Sequence, residues 1–133
     1  MREILFRGKT VCDGDWIYGG ITWNPSKNEV FIHTKWDEGK VIPETVGQYT
    51  GLCDKNGKKI FEGDIVKGKS EYFGNGSLNQ KAVVLYDRGQ FLLSFGETLE
   101  ECKQLNDFEV VGVWNGDVEV IGNAHDNPEL LNK

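Results

Sequence analysis

The sequence has few of the residues that carry metal binding and nucleophilic catalysis. It contains two histidines and three widely spaced cysteines, Cys12, Cys53 and Cys102. Structural zinc sites need Cys and His ligands at close, paired spacing, and an odd number of isolated cysteines gives no disulfide framework. The cysteines therefore indicate reduced thiols in the cytoplasm, and we predict no metal site and no cofactor.

Long apolar runs are also lacking. No stretch approaches the ~18 apolar residues that span a membrane, and residues 1–7 carry charges on both sides of a short apolar run, unlike a signal peptide. We therefore expect a soluble cytoplasmic protein without membrane contact.

Positive charge is scarce. Lys and Arg number 15 against 21 Asp and Glu, giving a net charge of −6 and a sequence pI near 4.9. Duplex binding usually needs clustered basic residues, so the balance disfavours nucleic acid as a partner. One local group of lysines keeps that alternative open, namely Lys55, Lys58, Lys59, Lys67 and Lys69.

Catalytic constellations are absent from the sequence pattern. His33 lies in a strand pattern, and His125 lies in a loop whose residues favour turn hydrogen bonds. No Gly-x-Ser-x-Gly elbow occurs, and neighbouring carboxylates are too common in an acidic chain to indicate acid–base chemistry. We predict that the protein is not an enzyme. A carboxylate-based enzyme would need a deep polar pocket near Gln48 and Asp64.

Glycine and short β-type runs are plentiful, with 17 glycines in 133 residues. The Gly19-Gly20 pair inside an aromatic and β-branched run predicts a bulge or a close backbone approach. Asn56-Gly57 predicts a type I′ hairpin turn. Two further hairpins are predicted, around residues 87–89 and 115–117.

One segment has a helical period. Thr98 precedes it as an N-cap, and Glu101 completes a capping box. Asn127 and Pro128 predict a final turn, with Asn127 as its cap. Five strands with a short helix between the third and fourth predict an SH3-like five-strand barrel over residues 62–133. The mainly β N-terminal subdomain, residues 1–61, would form a small antiparallel sheet, and we expect one folding unit.

The four tryptophans are predicted to be core residues by default. Trp23 and Trp36 border polar turns, however, and are candidates for exposure at a protein interface, where large aromatic side chains act as anchors.

Three stretches carry a resemblance to a known family. They are residues 2–9 followed by 14–19, residues 46–66, and residues 120–123 with 127–131. Together they resemble the YopX family of phage and prophage proteins over nearly the whole chain. Cys53 and His125 depart from the usual family pattern, which argues against a required thiol or histidine.

The resemblance implies a phage-encoded protein in the bacterial cytoplasm, and it implies self-association. It brings no catalytic or cofactor residue, because the family is uncharacterised. The candidate signature residues are Gly47, Gln48, Tyr49, Thr50, Gly51, Asp54, Gly57, Glu62, Gly63 and Asp64. We interpret them as a structural junction, in which Tyr49 and Leu52 are buried, with a binding site as the alternative.

The function that these observations favour is a non-enzymatic accessory protein that forms homo-oligomers and engages a host or phage protein. The alternative is a nucleic-acid-associated SH3-like module in phage replication or regulation.

Overall fold

A computed structural model describes residues 3–69, 79–96, 98–105, 108–110 and 118–131. These residues are mainly β, as predicted, with a short helix α1 (Leu99–Lys103). The strands are β1 (Phe6–Lys9), β2 (Trp16–Asn24), β3 (Glu29–His33), β4 (Glu38–Val41), β5 (Gly47–Cys53), β6 (Lys59–Phe61), β7 (Asp64–Lys69), β8 (Asn79–Asp87), β9 (Gln90–Ser94), β10 (Phe108–Val110) and β11 (Val118–Asn123).

The strands form two antiparallel sheets. The first has the order β4-β3-β2-β1-β5-β6 and the second has the order β10-β9-β8-β7-β11. The chain forms two compact units, residues 1–51 and residues 52–133, and the boundary between them falls within β5. The predicted boundary between two subdomains after residue 61, and their folding as one unit, stay predictions. In the structure β6 packs with the second unit, because Ile60 belongs to the same apolar core as Val66.

The second sheet is open in the described residues, and no closed barrel is found there. The predicted SH3-like barrel is therefore corrected to a five-stranded sheet, with β10 and β11 at opposite edges. The hairpin predicted around residues 115–117 lies largely outside the described residues, which include its ends as β10 and β11. The hairpin around residues 87–89 is confirmed, with Asp87 opposite Gln90. The N-terminal sheet, expected to be small, has six strands.

Strand β2 changes partner at the glycine pair. Residues up to Gly19 pair with β1, and residues from Gly20 onward pair with β3. A Cβ atom on Gly19 would lie 2.7 Å from the carbonyl carbon of His33, and closer still to its oxygen, whereas Gly20 has open space. The predicted close backbone approach is confirmed at Gly19.

The first unit has its core on one face of the β2–β3–β4 strands. Val30, Ile32 and Val41 are buried there, and Ile17 packs against them. Strand β4 also returns to the end of β1 through a bridge between Thr10 and Val41. The Ile42 N–H donates to the Lys9 carbonyl at 2.8 Å.

The second sheet is covered on both faces. One face carries a core that includes Val66, Val84 and Leu93. The other carries a core that includes Ile65 and Val83 with Cys102 of α1. Buried strands of this kind have apolar residues at successive positions, which explains the unbroken run at residues 82–85.

The helix α1 begins as predicted. The Thr98 hydroxyl oxygen accepts a hydrogen bond from the Glu101 N–H at 3.2 Å, and Thr98 is the N-cap. The C-terminal turn Pro128–Leu130 forms, but Asn127 makes no side-chain cap to it. Asn127 occupies the predicted cap position through its backbone, since its carbonyl accepts from the Leu130 N–H at 3.0 Å, while its Oδ1 accepts from the Asn123 N–H at 3.2 Å.

Candidate functional site

The Asp54 side chain organises the turn between β5 and β6. Its Oδ1 accepts hydrogen bonds from the N–H groups of Asn56 and Lys58, both at 2.9 Å. The Asp54 N–H donates to the Lys58 carbonyl at 2.8 Å, and the Gly57 N–H donates to the Asp54 carbonyl at 3.0 Å. The turn is built around one carboxylate that satisfies successive backbone donors.

The backbone of this turn corrects the type I′ prediction. A type I′ turn needs positive φ at both central residues. Gly57 has φ 83°, but Asn56 is not among the described residues with positive φ. The Asp54 carboxylate, by accepting from the Asn56 N–H, favours a different turn, in which only the glycine adopts the left-handed conformation.

The same carboxylate also reaches the edge of the second sheet. Its Oδ2 accepts from the Val120 N–H at 3.0 Å, and the Lys55 N–H donates to the Val118 carbonyl at 2.9 Å. These groups belong to the outer edge of β11, since β7 pairs with its other side. An uncovered strand edge is a template for pairing with other chains, and the Asp54 turn covers this one.

These contacts alter the pKa of Asp54, which is 6% exposed. Desolvation by burial raises the pKa. The backbone N–H donors of Val120, Lys58 and Asn56, with the Lys58 ammonium, outweigh it and hold the pKa below the usual 3.8. The carboxylate is therefore ionised over the whole neutral range.

The second part of the signature forms the turn between β6 and β7. Asp64 is 2% exposed, and its Oδ2 accepts from the Phe61 N–H at 2.8 Å. Gly63 has φ 92°, its N–H donates to the Val84 carbonyl at 2.7 Å, and its carbonyl accepts from the Ala124 N–H at 2.8 Å. A glycine suits this position because L side chains rarely adopt such a φ.

The remaining signature residues lie along β5. Gly47 is buried and pairs with Arg7 of β1, and Tyr49 is buried. Leu52, expected to be buried, is 43% exposed. A structural junction at the signature and a binding site there both stay predictions.

The candidate interface aromatics Trp23 and Trp36 are both exposed, at 62% and 85%. The structure does not bring them together. Trp23 lies opposite Val30 at the start of β3, and Trp36 lies in the turn after the end of that strand. Trp16 is partly buried, with the Arg7 guanidinium 4.6 Å from its ring centroid, and Trp114 lies outside the described residues.

Comparison with known proteins identifies the family. The model of the YopX protein family matches residues 6–132. The chain belongs to the YopX family. Among solved structures it is similar to protein EF1440 from Enterococcus faecalis, with a TM-score of 0.58 and 22% sequence identity over 99% of this chain and 100% of that chain. The likeness to EF1440 is one of fold. No curated protein matches the chain.

One polar cluster of this YopX-family chain was missed from the sequence. His33 lies between Thr22 and Glu38, with its Nε2 2.5 Å from the Thr22 hydroxyl oxygen and its Nδ1 3.1 Å from Glu38 Oε2. Nucleophile, base and carboxylate meet in this order in hydrolytic triads. Here the side chains of His33 and Glu38 are 43% and 57% exposed, so no solvent-excluded site surrounds them. The cluster links β2, β3 and β4. Its three residues meet only in the register of these strands, which the alternation of residues along each strand does not predict.

The histidines and cysteines, for which the sequence predicts no catalytic or metal site, are dispersed. His33 lies in β3 as predicted, and the His125 N–H donates to Asn123 Oδ1 at 3.0 Å in a turn. Cys12 and Cys53 are exposed and Cys102 is buried. Within the described ranges no group of three or more His, Cys, Asp or Glu residues can hold a metal ion. No helix in the described part is long and apolar enough to cross a membrane.

The lysine group is partly neutralised. Lys55 Nζ lies 4.0 Å from Glu119 Oε1. Lys67 lies opposite Glu119 on one side and opposite Lys81 on the other, and Lys81 Nζ donates to the Leu130 carbonyl at 2.9 Å. The Lys69 side chain lies outside the described residues.

Proposed function

We propose that this YopX-family chain is a phage-encoded accessory protein that acts without catalysis, as a self-associating protein-interaction module. The observation that carries the proposal is an apolar sheet face in the first unit that continues past its own core. The family supplies the phage context.

Residues directly opposite each other in an antiparallel sheet lie on the same face. Ile21 lies opposite Ile32, and Trp23 lies opposite Val30, so both share the face that carries the core. Ile32 is fully buried, whereas Ile21 is 36% exposed and Trp23 is 62% exposed. An apolar sheet face that is buried at one part and exposed to solvent at the next is typical of an interaction surface.

The opposite face of the same strands is mostly polar, with the half-buried Phe31 opposite Thr22. It carries the Thr22–His33–Glu38 cluster and an ion pair between Lys40 Nζ and Glu29 Oε2 at 3.0 Å. A polar face of this kind is stable against water. The contrast between the two faces favours association through the Ile21 and Trp23 side chains.

Trp36 adds a second exposed anchor at the β3–β4 turn. The turn is held by Thr34, whose N–H and hydroxyl donate to the Asp37 carbonyl at 2.7 and 2.9 Å. A large aromatic side chain on a hydrogen-bonded turn loses little entropy on binding. This position suits a host or phage protein partner.

The absence of catalysis is part of the proposal. It is supported by the engagement of the signature carboxylates, since Asp54 and Asp64 are buried and accept hydrogen bonds from backbone N–H groups. General acid–base chemistry needs a group that can exchange a proton with substrate.

Self-association is expected to depend on Trp23. Size-exclusion chromatography with light scattering should give a mass above the 15.0 kDa monomer for the wild type. Trp23→Ala should weaken the association at least about tenfold, because truncating an interface tryptophan commonly costs about 2 kcal/mol. Tyr86→Ala is the matched control, since Tyr86 is an exposed aromatic residue, 53% exposed, in the second unit. A wild type that stays monomeric, and that retrieves nothing from host lysate, would contradict the proposal.

A nucleic-acid-associated module is the second candidate. The adjacent positions of Lys67 and Lys81 on β7 and β8 support it. It predicts a gel shift with single-stranded or duplex DNA or RNA that weakens as salt rises and is reduced by Lys67→Glu. Lys27→Glu, a charge reversal in the turn between β2 and β3 of the first unit, should leave any shift unchanged. No shift at low salt would exclude this candidate.

A further inference from the structure

We infer that two copies of this chain associate by pairing the outer edges of β2, residues 20–24, antiparallel across a two-fold axis at Thr22. This inference rests on the proposed self-association and names its geometry. The partner is a second copy of the chain, and its edge strand extends the β2–β3–β4 strands of the first.

The edge in question follows from the change of partner at the glycine pair. Residues 16–19 of β2 have β1 on one side. The pairing of β1 with β2 ends at Phe6 opposite Gly19, where β1 begins. The preceding Leu5 bonds on the other side of β1, since its carbonyl accepts from the Tyr49 N–H of β5 at 2.8 Å. Residues 20–24 pair with β3 on one side, and no described strand pairs with their other side.

This edge has none of the usual protection against pairing. Natural edge strands carry lysine, inward charges, proline or bulges. The segment Gly20-Ile21-Thr22-Trp23-Asn24 has no charged residue, its register with β3 is continuous, and β-branched and aromatic side chains predominate. Proline appears only at position 25, where the strand has ended. By contrast, the outer edge of β11 is covered by the Asp54 turn.

The same features select a second copy as the occupant. A chain with a net charge of −6 repels its own copies, so self-association is favoured where the contact segment is uncharged. Antiparallel pairing of a strand with itself is two-fold symmetric and therefore self-complementary. The backbone donors and acceptors of this edge thus find partners in an identical edge.

The side chains fix the register. Opposite residues share a face, so the apolar faces of two copies stay together only in registers where the paired residue numbers differ by an even number. Centring the axis on Thr22 is the register of this kind that pairs all of residues 20–24. It sets Ile21 opposite Trp23 of the partner subunit and leaves Thr22 opposite its own copy. The apolar face then continues across the axis.

Disulfide trapping tests this register. Cys12 and Cys53 are exposed, so both are first changed to Ser, while the buried Cys102 stays. In that background Thr22→Cys should form a disulfide-linked dimer under mild oxidation, because opposite Cα atoms lie about 5 Å apart. Asn24→Cys is the matched control on the same strand and face. The two Asn24 positions would lie four residues apart, roughly 14 Å, and should not crosslink.

A charge at the axis gives the second readout. Thr22→Lys sets two ammonium groups opposite each other and should weaken the light-scattering dimer at least tenfold. Thr22→Val keeps the shape and should leave it unchanged. A monomeric wild type would overturn both self-association and this geometry. Suppose instead that the wild type self-associates and that Trp23→Ala weakens the association. This geometry alone would then be overturned if Thr22→Lys had no effect, or if Asn24→Cys crosslinked as well as Thr22→Cys.

Discussion

Gly19→Ala is expected to unfold or severely destabilise the N-terminal unit. The added Cβ would lie 2.7 Å from the His33 carbonyl carbon and still closer to its oxygen. Both are backbone atoms of β3, held by the pairing of His33 with Gly20 and with Glu38. No rotamer change relieves such an overlap, so β2 and β3 must separate where β2 changes partner. We expect a loss of about 3 kcal/mol or more in the free energy of unfolding.

Gly20→Ala is the matched control, because it is the adjacent residue and a Cβ there meets nothing within 4 Å. Its free energy of unfolding should change by no more than about 1 kcal/mol. Urea unfolding followed by tryptophan fluorescence and far-UV circular dichroism measures both variants. Equal stability of Gly19→Ala and the wild type would contradict the close approach of β2 and β3.

Asp54→Ala is expected to have the second large effect. The substitution removes the acceptor for the N–H groups of Asn56, Lys58 and Val120, and it uncovers the edge of β11. Hydrogen bonds to a buried charged group contribute about 1.5–3 kcal/mol each, and some of the freed donors regain water. We therefore expect a loss of about 3 kcal/mol in the free energy of unfolding.

The effect of Asp54 should depend on pH with a definite sign. Its pKa in the folded protein is lowered from 3.8, so the folded state binds the proton less readily than the unfolded chain. Its stabilisation is complete above the unfolded pKa and is lost as pH falls through the folded pKa. The wild type should lose more stability than Asp54→Ala between pH 5 and pH 3.

Urea unfolding at several pH values measures this difference. Asn56→Ala is the control on the same turn, because Asn56 contacts the Asp54 carboxylate through its backbone N–H, which the substitution keeps. It should keep the pH dependence of the wild type. Identical acid sensitivity of the wild type and Asp54→Ala would show that the Asp54 carboxylate is not held as described.

Local features were predictable where one short segment decides them. The Thr98 cap needs only the hydroxyl of Thr98 and the amide of Glu101, three residues away. The close approach at Gly19 was likewise foreseen, since glycine inside a β-branched run has few other uses. The type I′ prediction for Asn56-Gly57 was wrong because the Asp54 side chain sets the conformation of the turn. That side chain also accepts a hydrogen bond from the Val120 N–H, far along the chain.

The barrel prediction and the missed polar cluster both depended on contacts between strands, which one segment of sequence does not determine. The order of strands with a helix between the third and fourth was correct, but closure depends on which edges meet. The described residues leave β10 and β11 at opposite edges. The Thr22–His33–Glu38 cluster depends on a register that joins three strands, and a period-2 pattern gives faces without giving partners.

The sequence by itself determined that this is a mainly β protein of the YopX family, with turns placed by glycine and with exposed candidates at Trp23 and Trp36. Short-range chemistry suffices for the strands, turns and exposed tryptophans, and the resemblance of three stretches of sequence suffices for the family. Only the tertiary structure decided that Asp54 covers the edge of β11, that β2 changes partner at Gly19, and that Ile21 and Trp23 share a face with a buried core. Each depends on contacts between residues distant in the chain, and the free energy of such contacts has no local signature.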